Sequence, residues 1–197
     1  MSRSLFVQAD EWFNHSRSAL VDEIPCRQGC CQCCIGPFVI TLLDTLELRR
    51  GLATLDTGTR QDIEQQAERQ ARAMEALEPT LSNSRFIDHW DDRMVDSLVE
   101  QFHDVPCPAL GSDGACRVYE FRPVTCRLMG IPTQDSSEVS HGACAVQLAV
   151  PIVRVPAALR EEEDRLVSEE SAALDTARRM QTANGTEVLL PYGFLPA

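Results

Sequence analysis

The chain has 197 residues, enough for one domain with a real core, and its 44% hydrophobic content fits a globular protein. Thirty acids against 18 bases leave a formal charge of −12, which repels a phosphate backbone, so nucleic acid is not an expected partner. Every one of the 18 bases is arginine, which excludes a phosphate loop ending in Gly-Lys-Ser/Thr and a lysine Schiff base, because each lacks its central residue.

No apolar run approaches the roughly 20 residues that span a bilayer, and "MSRSLFVQADEW" turns acidic before a signal-peptide core could form. No membrane partner is expected, and the expected location is cytoplasmic, where thiols stay reduced. Leu5, Ala9, Trp12, Phe13, Leu20 and Ile24 recur near helical spacing, and Pro25 ends that segment. Pro37 to Thr41 is short and apolar, and "LLDTLELRRG" predicts a helix stopped by its basic residues and Gly51. From Thr59, with Asp62 three residues on in the manner of a capping box, Ile63, Ala67, Met74 and Leu77 predict a narrow-striped polar helix closed by Pro79. Phe86, Trp90, Met94, Leu98 and Phe102 repeat at fours and predict a fourth helix over 83–103, packed on the core.

Residues 105–144 then lose all period and gain prolines, glycines and four cysteines. A stretch of about forty irregular residues is too long for an ordinary connection, so something other than a backbone ladder should hold it. Helical texture returns over 157–180, with Leu159, Leu166, Val167, Ala173 and Leu174 as apolar positions, and the tail "TEVLLPYGFLP" reads as an edge strand or a docked extended segment. The expected fold is mainly α: a single small helical domain over 1–197, with long irregular cysteine-bearing loops organised around a metal centre. The cysteine region spans about 24–150, and the C-terminal helix and tail 157–197.

The segment "PCRQGCCQCCIG", residues 25–36, crowds Cys26, Cys30, Cys31, Cys33 and Cys34 together. A reducing compartment and an odd total of nine cysteines argue against a structural disulfide framework. Eight of the nine form two sets: Cys26, Cys30, Cys33 and Cys34, spaced C-x3-C-x2-C-C, and Cys107, Cys116, Cys126 and Cys144 along the irregular segment. Closely spaced thiolates converge on a metal because a tight turn brings two sulfurs to one point, and four fill a tetrahedral zinc site or hold an iron–sulfur cluster. Zinc and an iron–sulfur cluster are both open as the cofactor. Neighbouring side chains diverge, so Cys33 and Cys34 either serve two sites or divide between ligation and packing. A single buried cysteine is ordinarily a small hydrophobe; nine at these spacings are not.

Arg27, Arg117, Arg122 and Arg127 lie beside these cysteines and could offset thiolate charge, or pair with the surplus acids. Tyr119 reads as a core residue with its hydroxyl satisfied. His103 and His141 lie near Cys107 and Cys144 and read as surface histidines, with ligation the rival use, whereas His15 and His89 suggest nothing.

These residues resemble the CxxCxxCC, YkgJ-type cysteine cluster family, proteins described as chelating zinc or iron. "CRQGCCQCC", followed far downstream by "CRVYEFRPVTCR" and a last cysteine, carries the resemblance over roughly residues 24–150. The family's paired cysteines match Cys33 and Cys34, its preceding one Cys30, and its later ones Cys107, Cys116, Cys126 and Cys144. Its tyrosine, Arg-Pro and Cys-Arg element matches Val118, Tyr119, Arg122, Pro123, Cys126 and Arg127. The chain departs from it in a first spacing of three residues and in Cys31, which stands where the family usually has glycine. The resemblance implies metal binding and no settled activity. Flagellin lysine methylases carry a similar motif, so an iron–sulfur enzyme, redox or S-adenosylmethionine-dependent, is the alternative function, and a thiol redox or metal-delivery protein a third. No Ser/His/Asp order, carboxylate pair or glycine-rich phosphate loop nominates a catalytic residue.

Overall fold

The computed structural model of the chain describes residues 4–20, 24, 30–131, 133–135, 138–140, 155–180 and 185–196. It is mainly α, as the periodicity predicts, and its contacts divide it into two compact units.

The first unit takes in 1–33 and 124–173. Helix α1, Leu5–Ala19, packs on the short helix α5, Val124–Leu128, and on the N-terminal part of α6, Ala157–Met180. Ala9, Val124 and Leu166 form one buried cluster, and Trp12, Leu20, Ile131, Val155 and Leu159 another. Trp12 is 2% exposed and meets its one polar demand by donating its indole N–H to the Leu159 carbonyl, 2.8 Å away. On α6, Leu159, Glu163 and Leu166 share the buried face. Burial pushes the Glu163 carboxyl up, and its partner Arg160 opposes that shift. Strands β2, Thr133–Asp135, and β3, Glu138–Ser140, pair antiparallel.

The second unit takes in 34–123 and 174–197. A 3₁₀ turn, Gln32–Cys34, leads through Ile35 and Gly36 into strand β1, Val39–Thr41, and then directly into α2, Leu42–Thr54. Thr41 and Asp44 make a reciprocal capping box that starts α2. This helix does not stop at Gly51, where the sequence pattern puts its end. Gly51 sits inside it against the Phe121 ring and is a packing glycine. Helix α3, Thr57–Leu77, is capped by Asp56, which accepts the Thr59 N–H at 2.9 Å, so the helix starts two residues before the expected Thr59. Ile63, Ala67, Ala71 and Met74 form its buried stripe.

The fourth helix is shorter than its period suggests. Helix α4 runs only Asp92–Gln101, capped by Asp91. Residues before it are drawn off by the C-terminal tail: the Ile87 N–H donates to the Glu187 carbonyl, and Asp88 accepts from the Thr186 and Glu187 amides and the Thr186 hydroxyl. Met94, expected on the core face, is 40% exposed. The tail itself is both strand and docked segment. Strand β4, Glu187–Leu189, pairs antiparallel with β1, and the helical turn α7, Leu190–Gly193, follows, wholly buried. Tyr192 and Phe194 enter the core formed by α2, α3 and the sheet. Burial pushes the Tyr192 phenol up, with Glu75 adding to the effect.

Candidate metal centre

Six of the eight expected ligands lie among the described residues, and five of them sit in well-defined local structure. Cys33 and Cys34 end the 3₁₀ turn, and the chain then makes a main-chain connection to the irregular segment. The Cys107 N–H donates to the Cys34 carbonyl at 2.7 Å, Ile35 and Pro106 form an antiparallel bridge, and the Gly36 N–H donates to the Val105 carbonyl at 2.8 Å. Gly36 has φ +85°, and a side chain there would put its Cβ 3.2 Å from the His103 carbonyl oxygen. Only glycine turns the chain here without strain.

Residues 107–117 are a tight hairpin, not the unsupported loop expected. The Gly111 N–H donates to Ala115, Gly114 to Gly111 and Arg117 to Ala109, and Leu110 bridges Cys116. Asp113 accepts the Ala115 N–H at 3.0 Å and tightens the turn. Cys107 and Cys116 both lean on the second unit's core. Cys34, Cys107 and Cys116 are therefore tied together by backbone within one unit. Cys30, Cys33 and Cys126 belong to the first unit, Cys126 on α5. Cys26, Cys144, Arg27 and His141 lie outside the described residues.

The seven described cysteines are thiols of intermediate burial. Among the described residues, no three His, Cys, Asp or Glu side chains converge as a metal's ligands do. These thiols suit a thiophilic metal by their chemistry: soft sulfur donors, half-buried, with Cys33, Cys34, Cys107 and Cys116 on short turns that leave little chain entropy to lose.

The neighbouring arginines have partners of their own. Arg117 pairs with Asp62 at 2.5 Å and donates to the Pro108 carbonyl at 2.8 Å, which braces the hairpin against α3. The hydrogen bond from Arg117 holds the Asp62 carboxyl below its usual range. Buried Arg127 pairs with Asp10 and lies over the Phe6 ring. Arg122 stacks on Tyr119, 3.6 Å from the ring centre. Tyr119 is not the core residue expected, being 56% exposed. The 3₁₀ turn Tyr119–Phe121 turns Phe121 toward α2 and leaves Tyr119 outside. His103 is exposed, and its Nδ1 contacts the Glu100 carbonyl, in keeping with a surface histidine. Sequence reasoning missed Gly36 and the Gly51–Phe121 contact. A glycine two residues after the paired cysteines was a signal for the first, while nothing local announced the second.

No helix among the described residues is long and apolar enough to cross a membrane. No match was found among curated proteins or solved structures. The family CxxCxxCC, described as "Putative zinc- or iron-chelating domain", matches residues 25–145, a span that includes every cysteine of both sets. With its double-cysteine turn tied by backbone to the cysteine hairpin, the chain belongs to the CxxCxxCC family.

Proposed function

We propose that the protein holds zinc or an iron–sulfur cluster through thiolates drawn from Cys26, Cys30, Cys33, Cys34, Cys107, Cys116, Cys126 and Cys144, in a reducing, cytoplasmic setting. The observation that carries this reading is the main-chain tie between Cys34 and Cys107, which joins cysteines 73 positions apart in the sequence and adds Cys116 through the hairpin. Bound metal contributes to holding these turns, because ligation free energy becomes folding free energy wherever a site forms only in the folded chain. Zinc would close a structural tetrahedral site, whereas a cluster would supply electron transfer.

The test is elemental analysis and absorption spectroscopy on protein purified without oxygen. Stoichiometric zinc in a colourless protein identifies the first form, and a brown protein with iron and sulfide the second. Neither metal at significant occupancy refutes the proposal. Two variants prepared in parallel separate ligands from bystanders. Cys33→Ser loses metal, since a serine oxygen is harder and far less acidic than a thiolate, whereas Cys31→Gly keeps it. Equal loss in both overturns this assignment of ligands.

A further inference from the structure

We infer that Gly51 and Phe121 are positioning residues for Cys34, Cys107 and Cys116, an inference that rests on the metal-binding reading above. The chain path supplies the reason. From Cys34 it runs through Ile35 and β1 straight into α2, so α2 is the first helix the chain enters after the double-cysteine turn. The segment after Cys116 comes back to that same helix: Val118 is buried, the Phe121 N–H closes a turn on the Val118 carbonyl, and the Phe121 ring lies in the notch left by Gly51. A Cβ on Gly51 would lie 2.7 Å from Phe121 Cβ, 2.8 Å from its Cγ and 2.9 Å from its Cδ2. Contacts that short are not tolerated, so any side chain at 51 pushes the turn off the helix. The Arg50 guanidinium stands 6.0 Å over the ring and covers it from another direction.

This contact closes a circuit. At one end the Cys34 carbonyl receives the Cys107 N–H, and the hairpin carries that tie to Cys116. At the other, Phe121 in its notch ties the segment leaving Cys116 to the helix that follows Cys34. With both ties made, Cys116 is fixed relative to Cys34, while with the notch filled or the ring removed the hairpin keeps its tie to Cys34 and its Arg117–Asp62 brace on α3 but loses its hold on α2. Ligand geometry held to a fraction of an ångström depends on such support.

The experiment measures the rate at which a coloured chelator takes metal from the purified, loaded protein, together with thermal unfolding and helical circular dichroism. The variants are Gly51→Ala, Phe121→Ala, Phe121→Leu, the double Gly51→Ala/Phe121→Ala, and Cys34→Ser. Release is expected to quicken about tenfold or more in both alanine variants while helicity is kept, with Phe121→Leu intermediate because it refills part of the notch. In the double variant, release should be no faster than in Phe121→Ala alone, since two residues acting through one contact are not additive. Phe121→Leu stands in for Phe121→Ala if the latter loses its helical signal. Quickened release in Cys34→Ser with wild-type rates in the notch variants overturns the positioning role alone, as do multiplied effects in the double variant. Wild-type release in Cys34→Ser takes Cys34 out of the ligand set and overturns this inference, whereas parent protein that carries no metal to release overturns the metal reading.

Discussion

Gly36→Ala should separate backbone strain at the double-cysteine turn from strain elsewhere, with Gly114→Ala as its control. Both glycines adopt positive φ, +85° and +79°, so a side chain at either costs roughly 1–2 kcal/mol. Alanine's smaller unfolded-state entropy offsets about 0.4–1 kcal/mol of that. At Gly114 nothing lies within 4 Å of the added Cβ, so the net cost stays near 1 kcal/mol or less. At Gly36 the Cβ meets the His103 carbonyl oxygen at 3.2 Å, and the oxygen is part of the main chain and cannot swing aside. Relieving that contact stretches the bond from the Gly36 N–H to the Val105 carbonyl and adds about 1 kcal/mol. The expected total is about 2 kcal/mol, a fall in midpoint of roughly 6 °C against roughly 2–3 °C for Gly114→Ala. Thermal unfolding followed by circular dichroism reads the two midpoints, and chelator-monitored metal release reads the site. Gly36→Ala should also release metal faster, because the Cys34–Cys107 tie lies two residues from the strain. Equal midpoints for the two variants would refute the argument that the turn is held by contact as well as by conformation.

Three further outcomes follow from particular contacts. Burial pushes the Asp88 carboxyl up, but hydrogen bonds from the Glu187 and Thr186 amides and the Thr186 hydroxyl outweigh it and hold the group below the usual carboxylate range. A depressed folded value gives stabilisation that is full above the ordinary pKa of about 3.9 and lost as pH falls through the lower one. Asp88→Asn should therefore be less stable than the parent at pH 6, with the gap closing below about pH 4 in acid titrations of the unfolding midpoint; a gap independent of pH would contradict this. Trp12→Phe should cost about 1 kcal/mol through the lost bond to Leu159, and Trp12→Ala about 3–5 kcal/mol through the cavity, both read from denaturant midpoints. Metal removal by a chelator should speed hydrogen exchange at the Gly36 and Cys107 amides more than along α3, whose buried stripe holds it independently; unchanged exchange at both amides would count against metal support of the turn.

Local chemistry was written in the sequence. Apolar residues at helical intervals marked α1, α3 and α6 because contacts between residues three and four apart are made within one short segment, and the spacing of the cysteines marked the family by the same kind of short-range signal. Partners distant along the chain were beyond that reach. The repeat of Phe86, Trp90 and Met94 belonged to a helix by its period, yet the Asp88 bonds to residues 98 and 99 positions away claimed that stretch for the C-terminal tail. Gly51 had the look of a helix stop until Phe121 came to fill the space it leaves, and Tyr119, which read as core, was left outside by a 3₁₀ turn that no pattern announced. Arg117 and Arg127 stood beside cysteines in the sequence and found Asp62 and Asp10 in the fold. Which thiols share a loop cluster was likewise settled by tertiary structure, since the hydrogen bond between Cys34 and Cys107 forms only once the chain between them has folded back, and the energy that decides it is spread over the core that folding buries.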